Sequence, residues 1–221
     1  MAFEKVGHAL FPQALSAEAL SAARQHFDAL QVGAGRRLHN ACAFGQLLGA
    51  DGDIGRVAKA LLGQDARPVR LVLFNKTGEH NWAVGWHQDR VIAVQRRADV
   101  AGFDHWTVKD GQLHVKPPFD LLSQMVTLRV HLDPVDGENA PLKVVDGSHR
   151  LGALTKAEVA VHAARSSVTT CHADAGDIWA YRTPILHSSE VSRSLAPRRT
   201  IQIDYAASQP GGGLQWAFPD S

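Results

Sequence analysis

A chain of 221 residues is long enough for one sizeable core, and its 23 Lys plus Arg against 22 Asp plus Glu leave a net charge of +1. That balance carries no footprint for nucleic acid or an anionic membrane, and no apolar run approaches the roughly 18 residues of a membrane span, so a small-molecule partner is expected. Cys42 and Cys171 stand far apart in no metal-type spacing, and the opening MAFEKVGHALF lacks a basic end followed by a long apolar run, which reads as a reduced, cytoplasmic protein.

SAEALSAARQHFDAL (16–30) spaces Leu20, Ala23, Phe27 and Leu30 at helical intervals behind Ser16 as N-cap, with Glu18 near the positive end, and predicts a helix. DIGRVAKALLG (53–63) predicts a second, with Asp53 as cap and Gly63 as a left-handed stop. From Pro68 the signal changes to short runs between turn residues: VRLVLFN (69–75), GWHQDRVIAV (85–94), HVKPPF (114–119), SQMVTLRVHLD (123–133), PLKVVDG (141–147), GDIWAY (176–181) and RTIQIDYA (199–206). This predicts a mostly β sandwich or barrel over about 67–207, with a helical part over about 1–66 covering one sheet. GGG at 211–213 marks a short C-terminal tail, and 1–221 is expected to be a single domain.

Twelve histidines raise the expectation of metal or acid–base chemistry. Read as a strand, GWHQDRVIAV puts His87 and Asp89 on one face and Trp86, Gln88 and Arg90 on the other. The pair is then a surface salt pair, a buried hydrogen-bonded pair or two metal ligands. In SQMVTLRVHLD, Met125, Thr127, Arg129 and His131 share one face and Val126, Leu128, Val130 and Leu132 the other. The last strand likewise sets Arg198, Thr200, Gln202 and Asp204 against Arg199, Ile201, Ile203 and Tyr205, which suggests a polar pocket inside a small barrel. His87, Asp89 and His187 match the two-His-one-carboxylate set that holds Fe(II) on one side, and Arg198, eleven positions after His187, suits bidentate capture of a carboxylate. Spacing alone leaves that assignment open.

LFNKT (73–77), WHQD (86–89), MVTLRVHLD (125–133), ENAPLKVVDGSH (138–149), GDIWAYRTPILHSS (176–189) and PRRTIQIDYA (197–206) occur together in one order. In that set the chain resembles the phytanoyl-CoA dioxygenase family of Fe(II)- and 2-oxoglutarate-dependent oxygenases. The resemblance implies a double-stranded β-helix, a cupin-like jelly roll with helices packed outside. It implies His87, Asp89 and His187 as iron ligands, and Arg198 with Ser189 on the distal carboxylate of 2-oxoglutarate. Arg129, at a position often aromatic in relatives, Thr127 and Lys76 are further candidates for the co-substrate pocket. The reaction implied consumes 2-oxoglutarate and O2, releases succinate and CO2, and hydroxylates a small molecule; relatives that halogenate lack the carboxylate ligand that Asp89 supplies. Asp146 stands where the family commonly has Pro, a loop change of little bearing on iron.

Other readings of single residues are plainer. His172 and Asp174 repeat the HxD spacing but lie too close to His187 for the family order and read as a turn. His149 is expected to anchor a loop, His131 to sit near the barrel rim, Trp86 and Trp179 to be core aromatics, and Arg199 a structural or surface cation. The segment 95–122 is the expected lid, with His105, Trp106 and Lys109 as candidate substrate contacts. A non-catalytic cupin-like binder and a 2-oxoglutarate-independent cupin metalloenzyme are the alternatives. The first need not keep all four of His87, Asp89, His187 and Arg198, and the second has no co-substrate carboxylate for Arg198. The sequence carries no signal of oligomeric state and does not name the prime substrate.

Overall fold

The computed structural model describes residues 2–218. The N-terminal part runs α1 (Ala2–Val6), β1 (His8–Phe11), α2 (Ala17–Ala29), β2 (Gly35–Leu38), α3 (Gly45–Leu48) and α4 (Asp53–Leu62). Both expected helices form. Ser16 caps α2 by accepting from the Ala19 amide at 3.1 Å. Gly52 rather than Asp53 is the N-cap of α4, and the Asp53 carboxylate instead accepts from the Ser16 amide at 2.8 Å, so it ties the start of one helix to the other.

The β part follows as β3 (Arg67–Lys76), β4 (Val84–His87), β5 (Ile92–Ala93), β6 (Asp104–Lys109), β7 (Gln112–Lys116), α5 (Phe119–Ser123), β8 (Val126–His131), β9 (Leu142–Val145), α6 (Lys156–Arg165), β10 (Val168–Cys171), β11 (Ile178–Arg182), β12 (His187–Ser189) and β13 (Arg198–Ala206). A six-stranded sheet of order β1-β11-β8-β13-β3-β2 accompanies a four-stranded sheet of order β10-β9-β12-β4 and a small sheet of order β5-β7-β6, with antiparallel pairings throughout. This is the double-stranded β-helix of the jelly-roll, cupin-like type.

Strand periodicity explains where the core sits. Leu128, Val130, Ile201 and Ile203 on one face of the large sheet bury against Ala23 and Phe27 of α2 and Ile54 and Val57 of α4. The opposite face carries Arg70, Lys76, Thr127, Arg129, His131, Arg198, Thr200, Gln202 and Asp204, all buried. Polar side chains fill this interior because the helices occupy the only apolar face the alternation offers.

Two expectations need correction. GWHQDRVIAV is not one strand: β4 ends at His87, and β5 resumes only at Ile92. Gln88, in the break between them, is buried, and its amide donates to Gly152 O at 2.9 Å and Pro184 O at 3.0 Å while accepting from the Leu154 amide at 3.0 Å. That fastens the turn carrying Asp89. The expected lid, 95–122, carries the β6–β7 hairpin and the start of α5, and His131 is fully buried rather than at the barrel rim.

Candidate functional site

His87 and His187 are direct cross-strand partners of β4 and β12, with ring centroids 4.2 Å apart. The turn after β4 swings Asp89 toward them. One ligand atom from each of the three lies within 4.8 Å of the others, and among the described residues no other group of three such side chains converges. Each imidazole has Nδ1 against a backbone carbonyl, Gly85 O at 2.8 Å for His87 and Ile185 O at 2.9 Å for His187. A carbonyl only accepts, so Nδ1 bears the proton and Nε2 keeps its lone pair for a metal. Burial pushes the His187 imidazole down to about 4, so it stays neutral and able to ligate at ordinary pH.

Asp89 is held from behind. Arg70 Nη2 reaches its Oδ2 at 3.3 Å, and the Arg70 Nε lies 2.6 Å from Asp204 Oδ2. Thr127 Oγ1 donates to Asp204 Oδ1 at 2.9 Å and meets Thr183 Oγ1 at 3.1 Å. Burial alone would raise the Asp89 carboxyl; the Arg70 charge opposes it, and the group lies below the ordinary carboxylate range. Thr127 thus supports this ion-pair chain and is not among the residues lining the cavity beside the triad. Arg70 is the site residue the sequence reading did not single out.

That cavity, of about 110 Å³, is lined by Phe74, Trp82, Val84, Leu142, Ser189 and Gln202 together with His87, Asp89, His187, Arg129 and Arg198. A larger cleft of about 490 Å³ lies elsewhere, along β2, and brings no metal-ligating set together. Arg198 pairs in register with Lys76 of β3, and Gln202 with Arg129 of β8. The Lys76 ammonium donates to Trp82 O at 2.7 Å, Glu190 O at 2.6 Å and Ser189 Oγ at 3.3 Å. Arg129 donates to Gln202 Oε1 at 3.1 Å and Arg198 to Ala140 O. These acceptors are neutral; no carboxylate pairs with Lys76, Arg129 or Arg198 among the described residues, and the Nε atoms of both arginines are buried without a partner. Burial, then the charges of Arg198 and Arg129, push Lys76 down to about 7. Three crowded cations without an anion fit a site built for a carboxylate ligand.

The remaining candidates fall outside this centre. His172 is exposed and offers its carbonyl to the Trp179 indole N–H at 2.7 Å. His149 packs on Gly7, whose φ of +83° suits glycine and where a Cβ would lie 2.2 Å from the ring. Arg199 is an outer-face cation, paired with Asp133 at 2.7 Å and Asp28 at 2.8 Å. Asp146 accepts from His8 at 2.8 Å and Thr169 at 2.8 Å, a loop tie remote in role from the triad. His105 is exposed beside Asp104, and Trp106 packs into the apolar cluster with Val69 and Trp216. Lys109 lies within electrostatic reach of Asp89.

The family model for phytanoyl-CoA dioxygenase matches residues 3–200. The chain belongs to the phytanoyl-CoA dioxygenase family. Enzymes of this family are non-haem iron oxygenases that use Fe(II), 2-oxoglutarate and dioxygen on small molecules. No curated protein matches the chain closely enough to count as a relative. Among solved structures, EctD from S. alaskensis in its apo form aligns with a TM-score of 0.67 at 18% identity, over 93% of this chain and 74% of that one. The carbocyclase SnoK from nogalamycin biosynthesis gives 0.68 at 16% identity over 96% and 85%. HygX from Streptomyces hygroscopicus, solved with nickel and 2-oxoglutarate bound, gives 0.63 at 17% over 92% and 84%. At these identities the likeness supports the fold. Among the described residues no helix is long and apolar enough to cross a membrane.

Proposed function

We propose that this family member is an Fe(II)- and 2-oxoglutarate-dependent hydroxylase of a small molecule, with His87, Asp89 and His187 as the metal ligands. The observation that carries the reading is the juxtaposition of two imidazoles, each with Nδ1 committed to a carbonyl, one carboxylate, and an adjoining pocket of unpaired cations. His87 and His187 would ligate through Nε2 and Asp89 through a carboxylate oxygen. Fe(II) bound there with 2-oxoglutarate supplies the activation of O2, one oxygen atom entering a C–H bond as hydroxyl and the other entering succinate as CO2 leaves.

The protein's own contribution is placement. Arg198 would take the distal carboxylate of 2-oxoglutarate, with Lys76 adding charge and the Ser189 hydroxyl a hydrogen bond; Arg129 would close the same pocket. Phe74, Trp82, Val84 and Leu142 form the apolar wall that excludes water beside the triad. HygX has been solved with hygromycin B bound, which supports a small-molecule prime substrate here too. The free thiols of Cys42 and Cys171 fit a reduced, cytoplasmic setting, and residues 1–221 are read as a single oxygenase domain.

The test is succinate release. Protein purified without oxygen, then given Fe(II), 2-oxoglutarate and air, should form succinate, and Asp89→Ala should abolish it with the fold intact by circular dichroism. Succinate formation retained in Asp89→Ala would sink the assignment.

A further inference from the structure

The cavity beside the triad has no room for a second molecule once 2-oxoglutarate lies against its arginines. Its volume, about 110 Å³, falls below the roughly 300 to 1,000 Å³ typical of small-molecule sites. The cleft along β2, at about 490 Å³, falls within that range.

Although this cleft gathers no metal ligands, it shares a wall with the cavity. Gly35 of β2 lines the cleft and stands opposite Phe74 of β3, and Phe74 lines the cavity. A Cβ on Gly35 would lie 3.5 Å from Phe74 Cδ1, so the ring rests against the glycine and one half-buried side chain divides the two spaces there. Among the described residues Phe74 belongs to none of the apolar clusters; its ring neighbours are Trp82, at 6.5 Å, and the Arg129 guanidinium, at 5.4 Å. With no side chain at position 35, nothing on β2 blocks the ring from turning.

The cleft favours an anion. It follows the open edge of β2, the last strand of the large sheet, where alternation puts Arg37 on the same face as Phe74 and Arg36 on the other. The tip of the β6–β7 hairpin roofs it: Asp110 pairs with Arg37 at 2.8 Å, and a Cβ on Gly111 would lie 3.4 Å from the His39 ring. Leu30, Leu38 and Ala43 supply the apolar part of the lining, and Asp110 is its one carboxylate, set against two guanidiniums and the His39 imidazole. Arg36 keeps the unmatched charge. It donates to Leu30 O at 2.8 Å, a neutral acceptor, and makes no ion pair among the described residues. Asn40, also in the lining, commits its Oδ1 to the Cys42 amide at 3.0 Å, which leaves its Nδ2 hydrogens as donors.

We propose that the β2 cleft is the prime-substrate pocket, that it takes a small organic anion with its acid group at Arg36, and that Phe74 is the gate through which the other end reaches the triad. A guanidinium fork suits a carboxylate or a phosphate equally. The inference rests on the reading that His87, Asp89 and His187 hold iron.

The experiment uses the full chain loaded with Zn(II) and 2-oxoglutarate, so that binding is read without turnover and the co-substrate cations are occupied. Hexanoate, 3-phenylpropionate and phenyl phosphate, each beside its neutral counterpart hexanamide, 3-phenylpropionamide or phenol, are titrated by ligand-observed NMR. The parent is compared with Arg36→Gln and Gly35→Leu; the Cβ of the second fits at ordinary contact distance, and the rest of its side chain fills the cleft beside Phe74. At least one anion should bind, with its neutral counterpart about tenfold or more weaker, and Arg36→Gln should level the pair. Gly35→Leu should lose the anion while keeping Zn(II) and 2-oxoglutarate. With Mn(II) in place of Zn(II), paramagnetic relaxation of the bound anion should be strongest at the end away from its acid group. The carboxylate and phosphate arms tell the two acid classes apart. Binding by none of the anions, neutral counterparts binding as tightly, unchanged affinity in either variant, or no enhancement by Mn(II) overturns the proposal and leaves the iron site standing. A protein that takes up neither Zn(II) nor 2-oxoglutarate refutes the iron-site reading, and this one with it.

Discussion

Replacing Arg70 by glutamine removes the one side chain among the described residues that hydrogen-bonds Asp89 from outside the triad. Asp89 lies two residues beyond the end of β4, so strand geometry alone does not orient its carboxylate. Arg70 holds Oδ2 at 3.3 Å, and no hydrogen bond is made to Oδ1 among the described residues, which leaves that oxygen for a metal. A neighbouring cation also opposes metal binding, so two effects compete. Asp204, at 2.6 Å, is closer to the guanidinium than Asp89 is and shares its charge, and orientation is expected to win. Loss of such a supporting partner costs on the order of 10 to 100-fold in metal affinity, about 1.4 to 2.7 kcal/mol. The same change strands Asp204, 1% exposed, as an unpaired buried charge, at about 3 to 5 kcal/mol of stability. The double variant Arg70→Gln with Asp204→Asn separates the two effects by removing both charges. Calorimetric titration with Zn(II), beside thermal unfolding, should find stability largely recovered in the double variant and the metal affinity still weakened. Parent-like affinity in both variants would refute the orientation argument and reduce Arg70 to a folding residue.

Arg198→Ala should weaken 2-oxoglutarate binding by about 2 kcal/mol or more, roughly 30-fold, because Arg129 and Lys76 are left to hold the carboxylate alone; Zn(II) affinity should hold, and an unchanged 2-oxoglutarate titration would move the role to another cation. Lys76, pushed down to about 7, gains an anionic neighbour when the co-substrate binds, which raises its pKa. Its contribution to affinity is then full below about pH 7 and is lost as pH rises through the higher bound-state value, so 2-oxoglutarate should bind progressively more weakly as pH rises above about 7. Calorimetry on the Zn(II)-loaded protein reads this directly; a flat or rising affinity, or the same slope in Lys76→Met, excludes it. Leu128→Ala, at a fully buried position under α2 and α4, should cost about 2 to 5 kcal/mol in urea unfolding, and a loss below about 1 kcal/mol would contradict the core described.

Alternation made β8 and β13 legible: Thr127, Arg129 and His131, like Arg198, Thr200, Gln202 and Asp204, do face inward because the helices bury the opposite residues. His87, Asp89 and His187 were readable as residue types, and β-pairing of β4 with β12 brings the two imidazoles side by side, tilted by 56° with centroids 4.2 Å apart. What local pattern does not carry is long-range. Arg70 reads as one charge in an apolar run, and only pairing of β3 with β13 sets it against Asp204. The turn at Gln88 hides inside a strand-like sequence because its hydrogen bonds come from Gly152, Leu154 and Pro184. Helix α6 was legible in principle, since Thr155 and Glu158 form a capping box, but its surroundings of short strands masked the signal.

The central claim, that His87, Asp89 and His187 form an iron site served by a 2-oxoglutarate pocket, is tested most directly without any prime substrate. Fe(II) and 2-oxoglutarate added together to the protein under anaerobic conditions should give the visible charge-transfer absorption of a chelated 2-oxo acid, saturating at one Fe(II) per chain and absent in His187→Ala. No absorption in the parent, or the same absorption in His187→Ala, would contradict the account.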